Sequence, residues 1–338
     1  MKKRKKGLLL KDFLETNNLE EGGSFELEVA LENVMDGNVG RSPLYHLDNQ
    51  CFDVFQALPK QDGEKHLFRF SAFPKRHVEL TKNQYEKIKK IINEGNGVDC
   101  CIINDKDKLI EKKWYGNDCY LLNDIRNNSI TLSSPQGFND PMDPLVKAWI
   151  ENKRIHSKGI DKNLYSLIEE TWSRIRIGCL VDPLRNKRKC KRRIPRIEDC
   201  NPLMWAHYAD HHKGLCIQYR IKPDDLINTD DIVLRLLDVN YDFPFPLDGN
   251  IPFVDSLIAK GDYWRYENET RLIMYSRKKV DYHYQLKNVG IEAVYMGWRI
   301  DKEKRGYLKS MLRGSDIKLF QMSFSTDDIT KLVSHEIK

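Results

Sequence analysis

Two glutamates and an arginine alternate in the segment Tyr263 to Met274, whose sequence is YWRYENETRLIM. Glu267, Glu269 and Arg271 are spaced two residues apart, so an extended chain would place all three side chains on one face. In a strand this apolar, such a row is either a solvent-facing set of ion pairs or a paired-acid site. In a paired-acid site, one carboxylate binds a ribose hydroxyl or stabilises a developing cation, and the other orients or deprotonates an acceptor.

A second polar segment, Ser133 to Pro144, has the sequence SSPQGFNDPMDP. Asn139 and Asp140 precede a proline, and this pattern is typical of a turn because Asx side chains hydrogen-bond to their own backbone. The alternative is that Asp140 and Asp143 hold a hard cation. No neighbouring residue supports a cation site, and the sequence predicts no metal ligands.

A third segment, Asn201 to Tyr219, combines aromatic and imidazole side chains in the sequence NPLMWAHYADHHKGLCIQY. Trp205 and Tyr208 lie on the apolar face of a predicted short helix, and His207 is next to that face. A strand follows, so His207 and Tyr208 are expected near a sheet edge, where they could stack on a ligand or bond to it. The alternative for His207 is a buried, hydrogen-bonded core position.

Common catalytic and metal-binding motifs are missing from the sequence. His211 and His212, with Cys200 and Cys216, lack the paired spacing of a zinc site. There is also no phosphate loop, no G-x-G-x-x-G, no H-E-x-x-H and no G-x-S-x-G. The sequence therefore disfavours ATP binding, Rossmann dinucleotide binding, zinc proteolysis and serine hydrolysis.

Two short N-terminal segments place one polar side chain among apolar and aromatic neighbours, as a ligand-gripping strand does. One is Leu44 to Leu47, which contains His46, and the other is Leu67 to Phe70, which contains Arg69. The residues leave open which of the two is the functional strand.

The net charge of +6 is unevenly distributed along the 338 residues. Lys2 to Lys6 are all basic, and a second tract within residues 185–196 has no acidic residue, so the rest of the chain is net acidic. The basic residues of the second tract are Arg185, Lys187, Arg188, Lys189, Lys191, Arg192, Arg193 and Arg196. Such a tract favours a polyanion such as nucleic acid, or an acidic partner protein; a solvated basic loop is the alternative.

The sequence predicts a cytoplasmic protein with reduced thiols. It has no apolar run of about 18 residues, which a membrane-spanning helix needs. The basic residues Lys2 to Lys6 are followed by only four residues, Gly7 to Leu10, before Lys11, so no signal peptide is expected. The eight cysteines form no disulfide framework.

Short strands and helices alternate along the chain, and this mixture predicts an α+β fold with mixed or antiparallel short-stranded sheets and flanking helices. Strands are expected at 98–104, 129–134, 175–181, 215–219, 233–241, 269–276, 291–296 and 318–323. Helices are expected at 11–20, 80–93, 120–127, 202–210, 255–263 and 301–312. Residues 1–113 are interpreted as an N-terminal elaboration that contributes at most the first core strand, and residues 114–338 as the core domain with a basic insertion at 185–196.

Four segments occur in an order that resembles the bacterial family called domain of unknown function 2971. They are SITLSSPQGFNDPMD, LMWAHYADHHKGLCIQY, YWRYENETRLI and GIEAVYMGW, and the resemblance covers about residues 117–299. The family's layout is similar to that of ADP-ribosyltransferases, including toxins that modify nucleic acid in toxin–antitoxin and anti-phage defence systems. The resemblance therefore implies an ADP-ribosyltransferase-like core and NAD as substrate.

The resemblance also implies roles for particular residues. Glu269 would stabilise the oxocarbenium-like ribose, and Glu267 would activate the acceptor. The residues that would bind NAD are His46 or Arg69 on the first strand, His207, Tyr208, Trp205 and Asn139. The basic tract would recruit RNA or DNA, or an acidic antitoxin.

Two other function classes compete with the transferase at this stage. One is a nucleic-acid-binding or metal-dependent nuclease effector in which Asp140, Asp143 and the glutamates surround a divalent cation. The other is a non-enzymatic interaction module that a partner protein holds through the basic tract.

Overall fold

The structure of the protein is a computed structural model. It describes residues 52–53, 55–73, 79–81, 102–105, 108–112, 120–138, 140, 142–144, 170–185, 193–242 and 253–337. The strands are β1 (Lys65–Ser71), β2 (Glu79–Thr81), β3 (Ile102–Asp105), β4 (Lys108–Lys112), β5 (Ser129–Ser133), β6 (Ile175–Val181), β7 (Leu215–Ile221), β8 (Ile232–Asp238), β9 (Glu269–Ser276), β10 (His283–Lys287), β11 (Gly290–Met296), β12 (Lys318–Phe324) and β13 (Leu332–Glu336). The α-helices are α1 (Tyr120–Asn127), α2 (Leu203–His207), α3 (Phe253–Ile258) and α4 (Lys302–Met311).

The chain forms two compact units, each built from three separate stretches of sequence. Unit one comprises Met1–Gly63, Leu132–Cys179 and Lys222–Tyr284. Unit two comprises Glu64–Thr131, Leu180–Ile221 and Gln285–Lys338. The boundary predicted at residue 113 stays a prediction.

In unit one, β8 and β9 form an antiparallel pair along their full lengths, from Ile232 opposite Ser276 to Asp238 opposite Thr270. Strand β9 also pairs with β6, and it is buried on both faces. Two residues from the first stretch of unit one add to this core. The ring centres of Phe52 and Phe55 lie 5.9 and 6.0 Å from that of Tyr275. A strand covered on both faces has no exposed position for a charged side chain, so any charge on β9 needs a partner within the protein.

In unit two, β1 lies antiparallel to β7, from Lys65 opposite Ile221 to Ser71 opposite Leu215. Phe68 on its other side is opposite Val181 of β6. Strand β7 is antiparallel to β11, β11 is parallel to β12, and β12 is antiparallel to β13. The segment Leu67 to Phe70 is therefore a central strand, although it belongs to the stretch interpreted as an N-terminal elaboration.

A large mixed sheet together with helices confirms the α+β class. Strands β6 and β9 have the predicted bounds, and so does helix α1. The predicted helix over 80–93 is wrong at its start, because residues 80 and 81 belong to β2, which pairs in parallel with β3. The predicted helix at 11–20 lies outside the described residues, and the ADP-ribosyltransferase-like core stays a prediction.

None of the helices in the described ranges has both the length and the apolar character that crossing a lipid bilayer requires.

Candidate functional site

The two candidate catalytic glutamates stand on either side of a sharp change in backbone conformation. A 3-10 helix, Asp262–Glu267, ends at Asn268, whose φ of 46° and ψ of 47° are left-handed, and β9 begins at Glu269. Asparagine tolerates this conformation better than most residues. Glu267 is thus not on the strand, and the prediction of one extended face for both glutamates is wrong.

The carboxylates nevertheless converge, because both bind the same ammonium group. Lys260 Nζ donates to Glu267 Oε2 at 2.6 Å and to Glu269 Oε2 at 2.8 Å. The relative exposures of Glu267 and Glu269 are only 2% and 3%. The alternative of a solvent-facing row of ion pairs is therefore wrong.

Arg271 joins these residues to the turn segment that lies 128 residues earlier in the chain. Its Nη2 donates to Asp143 Oδ1 and Oδ2 at 2.7 and 2.6 Å, and its Nε donates to Glu269 Oε1 at 2.8 Å. Its Nη1 donates to the Leu257 carbonyl at 2.6 Å, and the side chain is fully buried. We call Asp143, Lys260, Glu267, Glu269 and Arg271 the charged cluster; its formal charge is one negative.

Mutual attraction keeps Glu269 and Lys260 ionised despite their burial. Burial by itself would raise the pKa of Glu269, but Arg271 and Lys260 outweigh it and hold that pKa well below its usual range. Burial would lower the pKa of Lys260, but the carboxylates of Glu269, Asp143 and Glu267 raise it. Glu269 is therefore a fixed carboxylate at neutral pH, suited to stabilising a positive charge and not to donating a proton.

Cys179 of β6 is at the edge of the charged cluster. The Glu269 carboxylate acts electrostatically on its thiol, and the residue is exposed to solvent. The surrounding protein raises the pKa of this thiol well above its usual value, and Glu269 raises it further. Cys179 therefore stays protonated at neutral pH and is not an activated nucleophile, but its exposure means that solvent reaches a direct neighbour of Glu269.

Two aromatic rings lie against the cations of the charged cluster. Arg271 Cζ is 5.7 Å from the centre of the Phe138 ring, and Lys260 Nζ is 5.2 Å from that of Trp264. Both distances are within the range of a cation–π interaction. Sequence reasoning missed Lys260. A signal was present, because two buried glutamates need two cations and the segment supplies only Arg271 on the strand.

The aspartates of the turn segment have different roles. Asp140 accepts a hydrogen bond from the backbone N–H of Met142 at 2.8 Å, which is the Asx turn that the sequence predicts. Asp143 does not turn towards Asp140 to form a cation site; its carboxylate binds Arg271. Asn139 lies outside the described residues.

Arg69 lies on β1 in unit two, within a set of buried polar groups. Its Nη1 donates to the Thr131 carbonyl at 2.9 Å and is 3.6 Å from Asp124 Oδ2. Asp124 also accepts from the Thr131 backbone N–H at 2.9 Å, from the Thr131 hydroxyl at 2.8 Å and from the Ser129 hydroxyl at 3.0 Å. We call Asp124, Ser129 and Thr131 the neutral-donor cluster. The other candidate for the first strand, His46, lies outside the described residues.

The aromatic and histidine candidates of unit two occupy different environments. Trp205 is 2% exposed and packs edge-on against Phe70, with ring centres 5.1 Å apart. This is a core position, and it corrects the expectation that Trp205 stacks on a ligand. His207 is exposed and Tyr208 is half-buried, with their rings 6.5 Å apart. Across the described parts of the chain, no group of three His, Cys, Asp or Glu residues could hold a metal ion.

The structure describes three basic residues of the basic tract, Arg185, Arg193 and Arg196. Arg185 is half-buried, whereas Arg193 and Arg196 are exposed. Arg193 binds Asp199 with N–O distances of 2.8 and 2.5 Å, so one of these cations is already paired. The tract residues outside the described ranges are Lys187, Arg188, Lys189, Lys191 and Arg192.

A cavity of about 370 Å³ in unit two contains none of the candidate site residues in its lining. Ile125, Ile291 and Leu312 line its apolar part, and Arg126 and Asp316 are its charged residues. It has one carboxylate and no imidazole, so its chemistry does not match the predicted site.

The chain matches no protein-family model, and no curated protein or solved structure matches it either.

Proposed function

We propose that this chain is an ADP-ribosyltransferase that uses NAD as the ADP-ribose donor, with Glu269 as the charge-stabilising carboxylate. The observation that carries the proposal is the state of Glu269: a buried carboxylate, held ionised by Lys260 and Arg271, that acts electrostatically on the solvent-exposed thiol of Cys179. The resemblance to domain of unknown function 2971 supports the same assignment. With it we propose an ADP-ribosyltransferase-like core and a cytoplasmic location.

The proposed reaction needs little from the protein. The bond between ribose C1′ and the nicotinamide nitrogen breaks with its electron pair on the nitrogen, which leaves positive charge on the ribose. Glu269 stabilises that charge. A carboxylate stabilises it most in a buried site, because little water is present there to screen the interaction. An acceptor O–H or N–H then attacks C1′, and its proton passes to Glu267.

Lys260 and Arg271 are positioning residues in this proposal. Each of them bonds to Glu269, so the carboxylate keeps one orientation while the reaction proceeds. They also reduce the negative charge that Glu269 presents to the ribose. The excess of one carboxylate over the two cations is the charge that remains for catalysis.

We further propose that the acceptor is RNA, DNA or a protein, in the manner of a toxin in a toxin–antitoxin or anti-phage system. The basic tract would bring a nucleic acid to the enzyme, with an affinity that falls as salt rises. An acidic antitoxin that covers residues 185–196 would inhibit it. Of the NAD-binding candidates, Tyr208, His207 and Arg69 remain in the proposal, together with His46 and Asn139.

The position of Lys260 argues against the metal-dependent nuclease. Its Nζ is 2.6, 2.8 and 3.6 Å from oxygens of Glu267, Glu269 and Asp143. An ammonium group therefore occupies the place that a divalent cation would need among these three carboxylates.

The test is to incubate the full-length protein with NAD labelled in its ADP-ribose part and with RNA, DNA and cellular protein. We expect wild type to release nicotinamide and to label one class of acceptor. Glu269→Gln should lower the rate about 100-fold or more, which is typical of losing a charge-stabilising group. Activity should persist in EDTA.

Two further variants make the result specific. Glu269→Asp keeps the charge but shortens the side chain, so intermediate activity is expected. Glu292→Gln is the matched control. Glu292 also accepts a hydrogen bond from a basic side chain, that of His66, but it lies outside the proposed site. The proposal fails if folded wild type leaves NAD intact with every acceptor, or if folded Glu269→Gln is as active as wild type.

A further inference from the structure

An exposed aromatic patch in unit two is built around Trp298 and Phe324. These residues are 40% and 45% exposed, and their ring centres lie 4.9 Å apart. Arg299 Cζ is 5.6 Å from the centre of the Trp298 ring, and the His212 ring is 6.2 Å from it. We propose that Trp298, Phe324, Arg299 and His212 form a stacking site for the unpaired bases of a single-stranded nucleic acid. The proposal concerns different residues from the transferase site and stands without it.

The patch has a rigid base. His212 stacks on the buried Trp205 ring, with the ring planes 10° apart and the centres 6.4 Å apart. Trp205 in turn packs against Phe70 in the core. Because the inner rings are fixed, Trp298 is presented without the entropy cost of ordering a mobile side chain on binding.

The backbone that carries His212 is strained. Asp210, His211 and His212 have φ values of 46°, 53° and 68°, three consecutive left-handed residues without a glycine among them. Such residues usually occur singly, because in this conformation the Cβ comes too close to the following carbonyl oxygen. Strain of this kind persists where the surrounding structure enforces it, and it is concentrated at binding sites.

Contacts with the loop after β11 hold the strained turn in place. The Arg299 backbone N–H donates to the His212 carbonyl at 3.0 Å. A Cβ at Gly297 would lie 2.1 Å from that same carbonyl oxygen, so only glycine allows the approach. The turn and the loop therefore place His212 beside Trp298 and Arg299 as one unit.

The chemistry of the patch fits an unpaired base better than an apolar protein partner. Burial, with Arg299 and His211 nearby, lowers the pKa of His212, so at neutral pH its imidazole is an uncharged ring. The patch thus offers three uncharged aromatic rings and a guanidinium plane, the groups on which unpaired bases stack. Lys213, which follows His212, is exposed and can meet a phosphate. A duplex hides its base faces, which is why we commit to a single strand.

The test is fluorescence anisotropy with the full-length protein and fluorescein-labelled 12-mers of oligo(U) and oligo(dT), with a duplex of the same length for comparison. We expect the single strands to bind more tightly than the duplex. Trp298→Ala should weaken single-strand binding about tenfold, because stacking one base on an aromatic ring contributes about 1–3 kcal/mol. Trp298→Phe should retain most of the affinity.

Salt dependence separates stacking from charge. Trp298→Ala should leave the slope of log affinity against log salt unchanged, whereas Lys213→Gln beside the patch should make that slope shallower. Tyr263→Ala is the control, because Tyr263 is 63% exposed and lies in unit one.

Three results would overturn the inference. They are duplex binding as tight as single-strand binding, a folded Trp298→Ala that binds as wild type does, and no binding of any oligonucleotide. Weaker binding of AMP or NAD by Trp298→Ala, with oligonucleotide binding unchanged, is a case of the second result and would assign the patch to free nucleotides. None of these measurements depends on turnover of NAD, so failure here and failure of the transferase proposal are distinguishable.

Discussion

The charged cluster of unit one and the neutral-donor cluster of unit two satisfy buried carboxylates in opposite ways. Glu269 is bound by two cations, Lys260 and Arg271. Asp124, which is fully buried, is bound by two hydroxyls and a backbone N–H, and Arg69 is 3.6 Å away. Both carboxylates have their hydrogen-bonding capacity used, so local satisfaction alone does not distinguish a structural acid from a functional one.

The electrostatic outcome does distinguish them. Burial raises the pKa of Asp124, and neither Arg69 nor the hydrogen bonds reverse this. The pKa of Glu269 is lowered, because its two cations outweigh burial. A protein needs no fixed charge to hold a strand in place, so the cluster whose cations lower the pKa of a buried carboxylate is the stronger candidate for chemistry.

The largest expected effect comes from removing the cation that joins the charged cluster. Arg271→Met would leave Asp143 and Glu269 buried with only Lys260 to balance them, and breaking a buried ion pair in this way costs about 3–5 kcal/mol. Urea denaturation of the variant and wild type measures the difference in free energy of unfolding. A loss below about 1 kcal/mol would show that other groups satisfy these carboxylates.

Acid titration should separate the two clusters by the sign of the effect. The folded-state pKa of Glu269 is lowered, so its stabilisation is present above the unfolded pKa of about 4.3 and is lost as pH falls. The folded-state pKa of Asp124 is raised, so its contribution is most favourable below the unfolded pKa of about 3.9 and declines as pH rises through the folded value. Each group changes the slope by at most about 1.4 kcal/mol per pH unit.

The measurement is the free energy of unfolding of Glu269→Gln and Asp124→Asn between pH 3 and pH 7. The destabilisation of Glu269→Gln should grow with pH, and that of Asp124→Asn should shrink. Parallel curves for the two variants would remove the electrostatic distinction between the clusters.

The smallest effect is expected at an exposed ion pair of unit one. Arg265 binds Asp262 at 2.6 Å and Asp242 at 2.5 Å, and all three side chains are exposed. Arg265→Gln should change the free energy of unfolding by about 0–1 kcal/mol, because exposed pairs gain little over water. If Arg265→Gln lowers the thermal midpoint as much as Arg271→Met does, burial does not determine which of the two arginines contributes more to stability.

Local elements with strong hydrophobic patterns could be predicted from the amino-acid sequence. The apolar, β-branched run Ile175–Val181 is β6, and Glu269–Ser276 is β9, because such runs favour a covered strand whatever their neighbours. Strand β10 was missed, although the polar and apolar residues of His283–Lys287 alternate as they do in a half-buried strand. The sequence also singled out Glu269, Arg271 and the turn with Asp143 as more polar than packing requires.

The pairing of these charges depends on contacts between residues that are distant in the sequence. Asp143 and Arg271 are 128 residues apart, and no local rule predicts their bidentate contact. Lys260 carries no motif, yet it bonds to Glu269. Hydrophobic periodicity is a local property that an element shows on its own, whereas the balance of buried charge belongs to whichever distant residues the fold brings within about 3 Å of each other.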